Sequence, residues 1–386
     1  MKIILTVVFI LLAYVNYRHI NIGFLSIVQI DEWAFHGSLE KMYEGFIKLN
    51  PVAYFSHGFL SYGHFFWAIN FFATLPFFLS NNAEMTIYIP RMISTLFALG
   101  SLFYMYKISK LYVDKQASIL IVLLILSMPG FWINAMWFHP DWMMTFFIIL
   151  SIYYYSKDNF EYKKYFWYGT IAFGFALASK FQAITFYPFL FIYIFNNNIL
   201  QRNVKYLKSK IIIFIKSILV TIGIFVMLNP YLLHPVGFSA WLNSFLLNMA
   251  SNKTNHGSGV ILNWEDKLFN VIDTNYLSIV AWIALLVFIL YSIYRYLYKR
   301  ERHILDIITI YVVINILYLF IAVNKDWQHY YLNIIIVSTL LFTIKFKFSK
   351  QLLIVAFLIN SIYMVPKTYA KFILNPVKEI HKEQSK

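Results

Sequence analysis

Asp31 and Glu32 stand side by side in Gln29-Ile30-Asp31-Glu32-Trp33-Ala34-Phe35-His36, just after the first apolar run of a chain that is 13% charged and 60% hydrophobic. Ionisable groups at or near a bilayer are costly, so they mark function more often than decoration. One carboxylate of such a pair can take the proton of an attacking hydroxyl while its neighbour positions it or tunes its pKa. His139-Pro140-Asp141 places an imidazole and a second acid on either side of a helix-breaking proline. Arg91 follows Pro90 at the head of an apolar run, and a guanidinium fork is the group best shaped to hold phosphate at a membrane boundary. Lys180, in Ala178-Ser179-Lys180-Phe181-Gln182, sits in a hairpin too tight for a hydrophilic loop, where it would meet either a carboxylate or a phosphate oxygen.

Three further residues are candidates for substrate binding. His57, in Tyr54-Phe55-Ser56-His57-Gly58, offers a cationic or hydrogen-bonding ring. Tyr231 opens a long loop at Asn229-Pro230-Tyr231, and His256 lies in Asn255-His256-Gly257-Ser258-Gly259, a polar stretch able to close over a ligand. Each site has a plain alternative: a solvated loop for Asp31-Glu32, a rim break at Pro140, snorkelling for Arg91 and a structural ring for His57. His139, Asp141 and Asp31 have the chemistry of metal ligands, yet no tight spacing of the His-x-x-x-His kind joins them. No metal or other cofactor is therefore expected, with a divalent ion kept as the lesser alternative.

The elements that must position these groups are membrane helices. The chain has 386 residues, a mean hydropathy of +0.64 and 20% aromatic residues, with apolar runs recurring from end to end. About 20 apolar residues cross a bilayer core. The net charge of +15 does not point to nucleic acid, because its Lys and Arg fall in short clusters between apolar runs. Cysteine is absent, which excludes disulfide and thiolate chemistry. Met1-Lys2 and the run to Val15 resemble a signal sequence without a small-residue cleavage site, so an uncleaved anchor helix is expected. Richness in Ile, Lys, Asn, Tyr and Phe is that of an AT-rich bacterial genome, so a bacterial inner (plasma) membrane is the expected location.

The positive-inside rule decides the topology. If 65–79 does not cross, spans fall at about 3–17, 88–106, 116–137, 142–156, 165–179, 181–195, 211–229, 276–294, 304–323, 329–344 and 351–365. Every tight basic cluster except the 366–386 tail then lies inside. An amphipathic surface helix is expected at 39–49. The expected organisation is one membrane-embedded domain over 1–386: a first outer loop at 18–88 with the acidic pair and interfacial helices, a large outer loop at 230–275, and C-terminal helices at 276–386. Of ten histidines only His303 falls inside. Asp31, Glu32, His36, His57, His64, Arg91, His139, Asp141, Lys180, Asn229, His234, His256, Asp326 and His329 gather on the outer face. Acids and cations on one face of a lipid-immersed bundle suit a substrate with a lipid tail and a surface phosphate.

The same residues resemble the GT-C glycosyltransferases that use polyprenyl- or dolichyl-phosphate sugars, in particular the protein O-mannosyltransferase and aminoarabinose transferase branch. Asp31-Glu32 is similar to that group's acidic pair in the first outer loop. Tyr54-Phe55-Ser56-His57-Gly58-Phe59-Leu60 resembles its basic residue before Pro-Pro-Leu, with Gly58-Phe59 in place of the prolines. Arg91-Met92-Ile93-Ser94-Thr95-Leu96, Asp141, the turn Gly174-Phe175-Ala176-Leu177-Ala178-Ser179-Lys180-Phe181, and Asn229-Pro230-Tyr231 continue the likeness over roughly 1–260. The resemblance implies an all-α polytopic membrane protein, a GT-C-type bundle of about eleven transmembrane helices with outer-face juxtamembrane helices and no soluble domain. It implies transfer of a sugar from a polyprenyl-phosphate donor to a hydroxyl of a glycan, lipid or protein acceptor, with inversion. Asp31 would be the base, supported by Glu32 and Asp141. Arg91, Lys180 and His57 would bind the phosphate, with His139, Tyr231 and His256 in the substrate site. The alternatives are a flippase or transporter, or a polymerase or ligase, of lipid-linked saccharides. Against a transporter, no internal repeat and few mid-span charges are found.

Overall fold

The computed structural model describes residues 1–18, 20, 31–201, 206–254, 262–267, 279–298, 303–325, 328–345 and 349–369. Among them all regular structure is helical. Helix α1 (Lys2–Arg18) packs on α5 (Ala83–Ser109), and between them in sequence lie α2 (Asp31–Ile47), α3 (Pro51–Phe55) and α4 (His64–Leu79). The chain continues through α6 (Lys115–Leu126), α7 (Pro129–Ala135), α8 (Asp141–Asp158) and α9 (Lys164–Ser179) to a 3-10 turn, Phe181–Phe186. Helices α10 (Tyr187–Gln201) and α11 (Leu207–Leu228), a 3-10 turn (Pro230–Leu233) and α12 (Pro235–Thr254) follow. The last four described helices are α13 (Ile279–Leu297), α14 (Ile304–Ala322), α15 (Gln328–Lys345) and α16 (Lys350–Tyr369).

Helices α5, α11 and α14 are each long and apolar enough to cross a membrane. On α11 the apolar Ile211, Ile215, Leu219 and Ile222 are exposed, as lipid-facing side chains are. Of the expected spans, 116–137 is corrected: it is two helices, α6 and α7, bent by 71°. The break falls at Ser127-Met128 because Pro129 occupies the first turn of α7, where its missing N–H costs nothing but where it cannot continue α6. The surface helix expected at 39–49 begins earlier, at Asp31, so the acidic pair heads α2. Helix α4 is apolar but only 16 residues long with Pro76 inside it, shorter than a full crossing needs.

Two apolar clusters hold the site. The larger joins α1 and α5–α10 to α14 and α15. The smaller is built from α2 and α4: Phe35, Leu39, Met42 and Tyr43 lie on one stripe of α2 and pack with Phe66, Trp67 and Phe71 against Phe138 and Met143. Glycine is required at Gly63, where α4 meets the end of α9. A Cβ there would lie 1.8 Å from the Ala178 carbonyl oxygen, and His64 beside it donates its backbone N–H to Asn229 Oδ1 at 2.5 Å.

Candidate active site

Glu32 lies on the buried stripe of α2, one turn before Phe35 and His36. It meets Arg91 from α5 in a two-pronged pair: Nε donates to Oε1 and Nη2 to Oε2, both at 2.8 Å. The Phe138 backbone N–H also donates to Glu32 Oε1, at 3.0 Å. Both side chains are buried. Burial alone would push the Glu32 carboxyl up, but the Arg91 guanidinium beside it holds it below the usual carboxylate range. Burial holds the neighbouring His36 imidazole down at about 4, against the pull of Glu32. At neutral pH His36 is therefore uncharged.

The loop after α7 is fastened by these contacts. Phe138 is tied to Glu32, the Ser94 hydroxyl donates to the His139 carbonyl at 3.4 Å, and the Thr95 hydroxyl donates to that of Ala135 at 2.8 Å. This turns His139 and Asp141 toward the end of α9. Lys180, the residue that ends α9, donates to Asp141 Oδ1 at 2.7 Å, while the His139 ring contacts Asp141 Oδ2. The His139 ring stacks on Trp137 (centroids 4.3 Å apart, 8° between planes) and on Phe35 (5.1 Å, 21°), and His329 of α15 lies 4.6 Å away. All four polar residues are buried.

Lys180 also lines a cavity of about 190 Å³ between Tyr62, Gln182, Asn248, Asn252 and Tyr330. Its ammonium lies over the rings of Tyr62 and Tyr330 at 5.3 and 5.0 Å. Helix α12 closes this cavity: Asn248 donates to the Ser61 hydroxyl at 3.1 Å, and Tyr330 donates to Asn252 Oδ1 at 3.2 Å. Phe181 and Ile184 belong both to this cavity and to an apolar groove of about 640 Å³ lined by α11 and the start of α12, including Ile218, Ile222, Phe225 and Trp241. A cavity with mostly apolar walls that holds an ammonium and several side-chain amides thus opens beside an apolar groove.

The structure therefore brings Glu32 together with Arg91, and His139 with Asp141 and Lys180. His57 lies apart, its ring against Trp67 at 4.9 Å and His64 at 5.7 Å. Burial holds its imidazole well below its usual range, so it is neutral rather than cationic near neutral pH. Tyr231 stacks on Phe55 at 5.7 Å. Asp31 is the first residue of α2, but its side chain lies outside the described residues, as do His256 and Asp326. Sequence reasoning assigned no role to His329, Tyr62, Tyr330 or Gln182. His329 carried the only signal, as one of the outer-face histidines.

Residues 64–222 match the family model of the dolichyl-phosphate-mannose-protein mannosyltransferases. That segment holds Arg91, His139, Asp141 and Lys180, and leaves out Glu32 and His329. Among solved structures, ArnT from Cupriavidus metallidurans bound to undecaprenyl phosphate aligns over 96% of this chain with a TM-score of 0.59 and 13% identity. The chain has the GT-C fold. The oligosaccharyltransferase of Archaeoglobus fulgidus in the apo form aligns over 99% of the chain (TM-score 0.54, 14% identity), and the same organism's AglB with an inhibitory peptide and a dolichol-phosphate over all of it (0.52, 13%). The chain spans 62% of the length of the ArnT chain and 56% of each oligosaccharyltransferase chain. No curated protein matches it.

Proposed function

We propose that the protein is an integral-membrane glycosyltransferase that moves a sugar from a polyprenyl-phosphate donor to an acceptor hydroxyl on the outer face of the membrane, with inversion. The observation that carries this reading is the junction at Phe181 and Ile184, where the Lys180 cavity meets the apolar groove. A donor with an isoprenoid tail and a sugar phosphate needs both kinds of surface in contact. The tail would lie along α11, and the phosphate would enter beside Lys180. There the ammonium, already held by Asp141, would stabilise the charge that grows on the departing lipid phosphate. The solved structures with this fold that hold undecaprenyl phosphate or a dolichol-phosphate support the same donor class.

In this reading Asp31 is the general base that takes the acceptor proton. Glu32 is a positioning residue: its carboxylate is taken up by Arg91 and Phe138, which fixes the head of α2 and hence Asp31. Arg91 then serves the scaffold. Bacterial inner-membrane location is part of the proposal. The test is release of free polyprenyl phosphate by purified protein from a panel of polyprenyl-phosphate sugars, with a membrane extract supplying acceptor. Release by wild type and not by folded Asp31→Asn is expected. Release that is unchanged in Asp31→Asn would overturn the assignment of the base, and absence of release across the panel would overturn the reaction.

A further inference from the structure

One cluster in this site has more chemistry than phosphate binding requires. His139, Asp141 and His329 each offer a ligand atom within 4.8 Å of the others, and all are buried. Two imidazoles and a carboxylate form the donor set that Zn2+ and similar borderline ions take. Ligand atoms at about 2.0–2.2 Å from such an ion stand within about 4 Å of one another, so this group needs only a small closure to hold one. The His139 ring is already clamped by Trp137 and Phe35.

The cluster, however, contains its own cation. Lys180 Nζ donates to Asp141 Oδ1 at 2.7 Å, and the His139 ring takes Oδ2. An ion bound at Oδ2 would share one carboxylate with an ammonium only about 4–5 Å away, in a buried place where salt and water screen least. Two positive groups on one carboxylate, without a second acid from the described residues, are a poor arrangement.

We propose that Lys180 keeps a divalent ion out of this cluster: held on Asp141 Oδ1, its ammonium balances the single carboxylate of a His-Asp-His donor set of metal type and presents to the adjacent cavity the charge that a metal would supply. Removing the charge then opens a metal site, and keeping it in another form does not. The role at the cavity rests on the donor-phosphate reading above, but occupancy by an ion can be measured without turnover.

The experiment uses Zn2+ as the probe on full-length protein in detergent. Bound metal is measured after dialysis for wild type, Lys180→Arg, Lys180→Ala, Lys180→Gln and the double variant Lys180→Ala/His329→Ala. Wild type and Lys180→Arg are expected to retain none above the dialysis buffer. Lys180→Ala and Lys180→Gln are expected to retain about one ion per chain, lost again in the double variant. Co2+ is expected to quench fluorescence of Trp137, which lies against His139, in the neutral variants alone. If these variants fold poorly, Zn2+ is expected to raise their melting temperature and leave wild type unmoved. One tightly held Zn2+ per wild-type chain would overturn the proposal. So would folded Lys180→Ala and Lys180→Gln that neither retain Zn2+ nor gain thermal stability from it. Failure of the transferase reading would show separately, as no lipid-phosphate release by wild type at any Zn2+ concentration.

Discussion

Separating Glu32 from Arg91 is the most telling perturbation of the scaffold. The two side chains are 2% and 0% exposed and share two hydrogen bonds at 2.8 Å. Two unit charges about 4 Å apart interact by roughly 4 kcal/mol at the effective dielectric of about 20 that suits protein sites. Removing one partner of such a pair leaves the other charged and buried, at a cost of about 3–5 kcal/mol. Glu32→Gln and Arg91→Met should each therefore lower the melting temperature in detergent by at least about 5 °C. The double variant removes both charges and leaves no orphan, so its loss should fall short of the sum by at least about 2 kcal/mol equivalent. Thermal melting of the four proteins, with tryptophan fluorescence as the probe, measures this coupling. Purely additive losses would refute the claim that Arg91 serves the scaffold through Glu32. An Arg91→Met protein of wild-type stability with weakened binding of polyprenyl phosphate would refute it as directly.

Three other outcomes are expected. Gly63→Ala forces a Cβ to within 1.8 Å of a backbone oxygen at Ala178, which cannot step aside as a side chain could; a loss of at least about 1–3 kcal/mol is expected, and an unchanged melting temperature would show that α4 does not press on α9. The His36 imidazole is held at about 4 when folded against about 6.5 unfolded, so between these values the unfolded chain binds the extra proton. Stability from this group is thus complete above about pH 6.5 and declines toward pH 4 by up to about 3 kcal/mol; melting curves across that range should be flatter for His36→Gln. Ile222→Trp places bulk in the apolar groove beside Phe225 and should weaken polyprenyl-phosphate binding by at least about tenfold, read by native mass spectrometry, with thermal stability kept within about 1 kcal/mol.

Much of this site was legible in sequence because membrane chains make polar residues scarce. Charge clusters alone oriented the helices, and that orientation gathered Glu32, Arg91, His139, Asp141 and Lys180 on one side. The reading that Lys180 would pair with an acid was open beside the phosphate reading, and the structure supplies Asp141 as its partner. Pairing between Glu32 and Arg91 was beyond reach, since the two are 59 residues apart and nothing local marks either as the other's partner. His329 had no local signal either: it enters the site because α15 packs against α7 and α8, a tertiary fact. The break at Pro129 could have been read, because a proline inside an apolar run argues against one straight helix. The aromatic walls at Tyr62, Tyr330 and Phe181 were hidden by abundance, in a chain with 30 Tyr and 39 Phe.

The most direct measurement of the central claim is the position of the lipid phosphate in an electron cryomicroscopy structure of the protein with polyprenyl phosphate. The phosphate is expected within hydrogen-bonding reach of Lys180 Nζ, between Tyr62 and Tyr330, with the first isoprene units passing Phe181 into the groove along α11. A phosphate bound to Arg91, with Glu32 displaced, or a lipid tail lying away from α11, would contradict it.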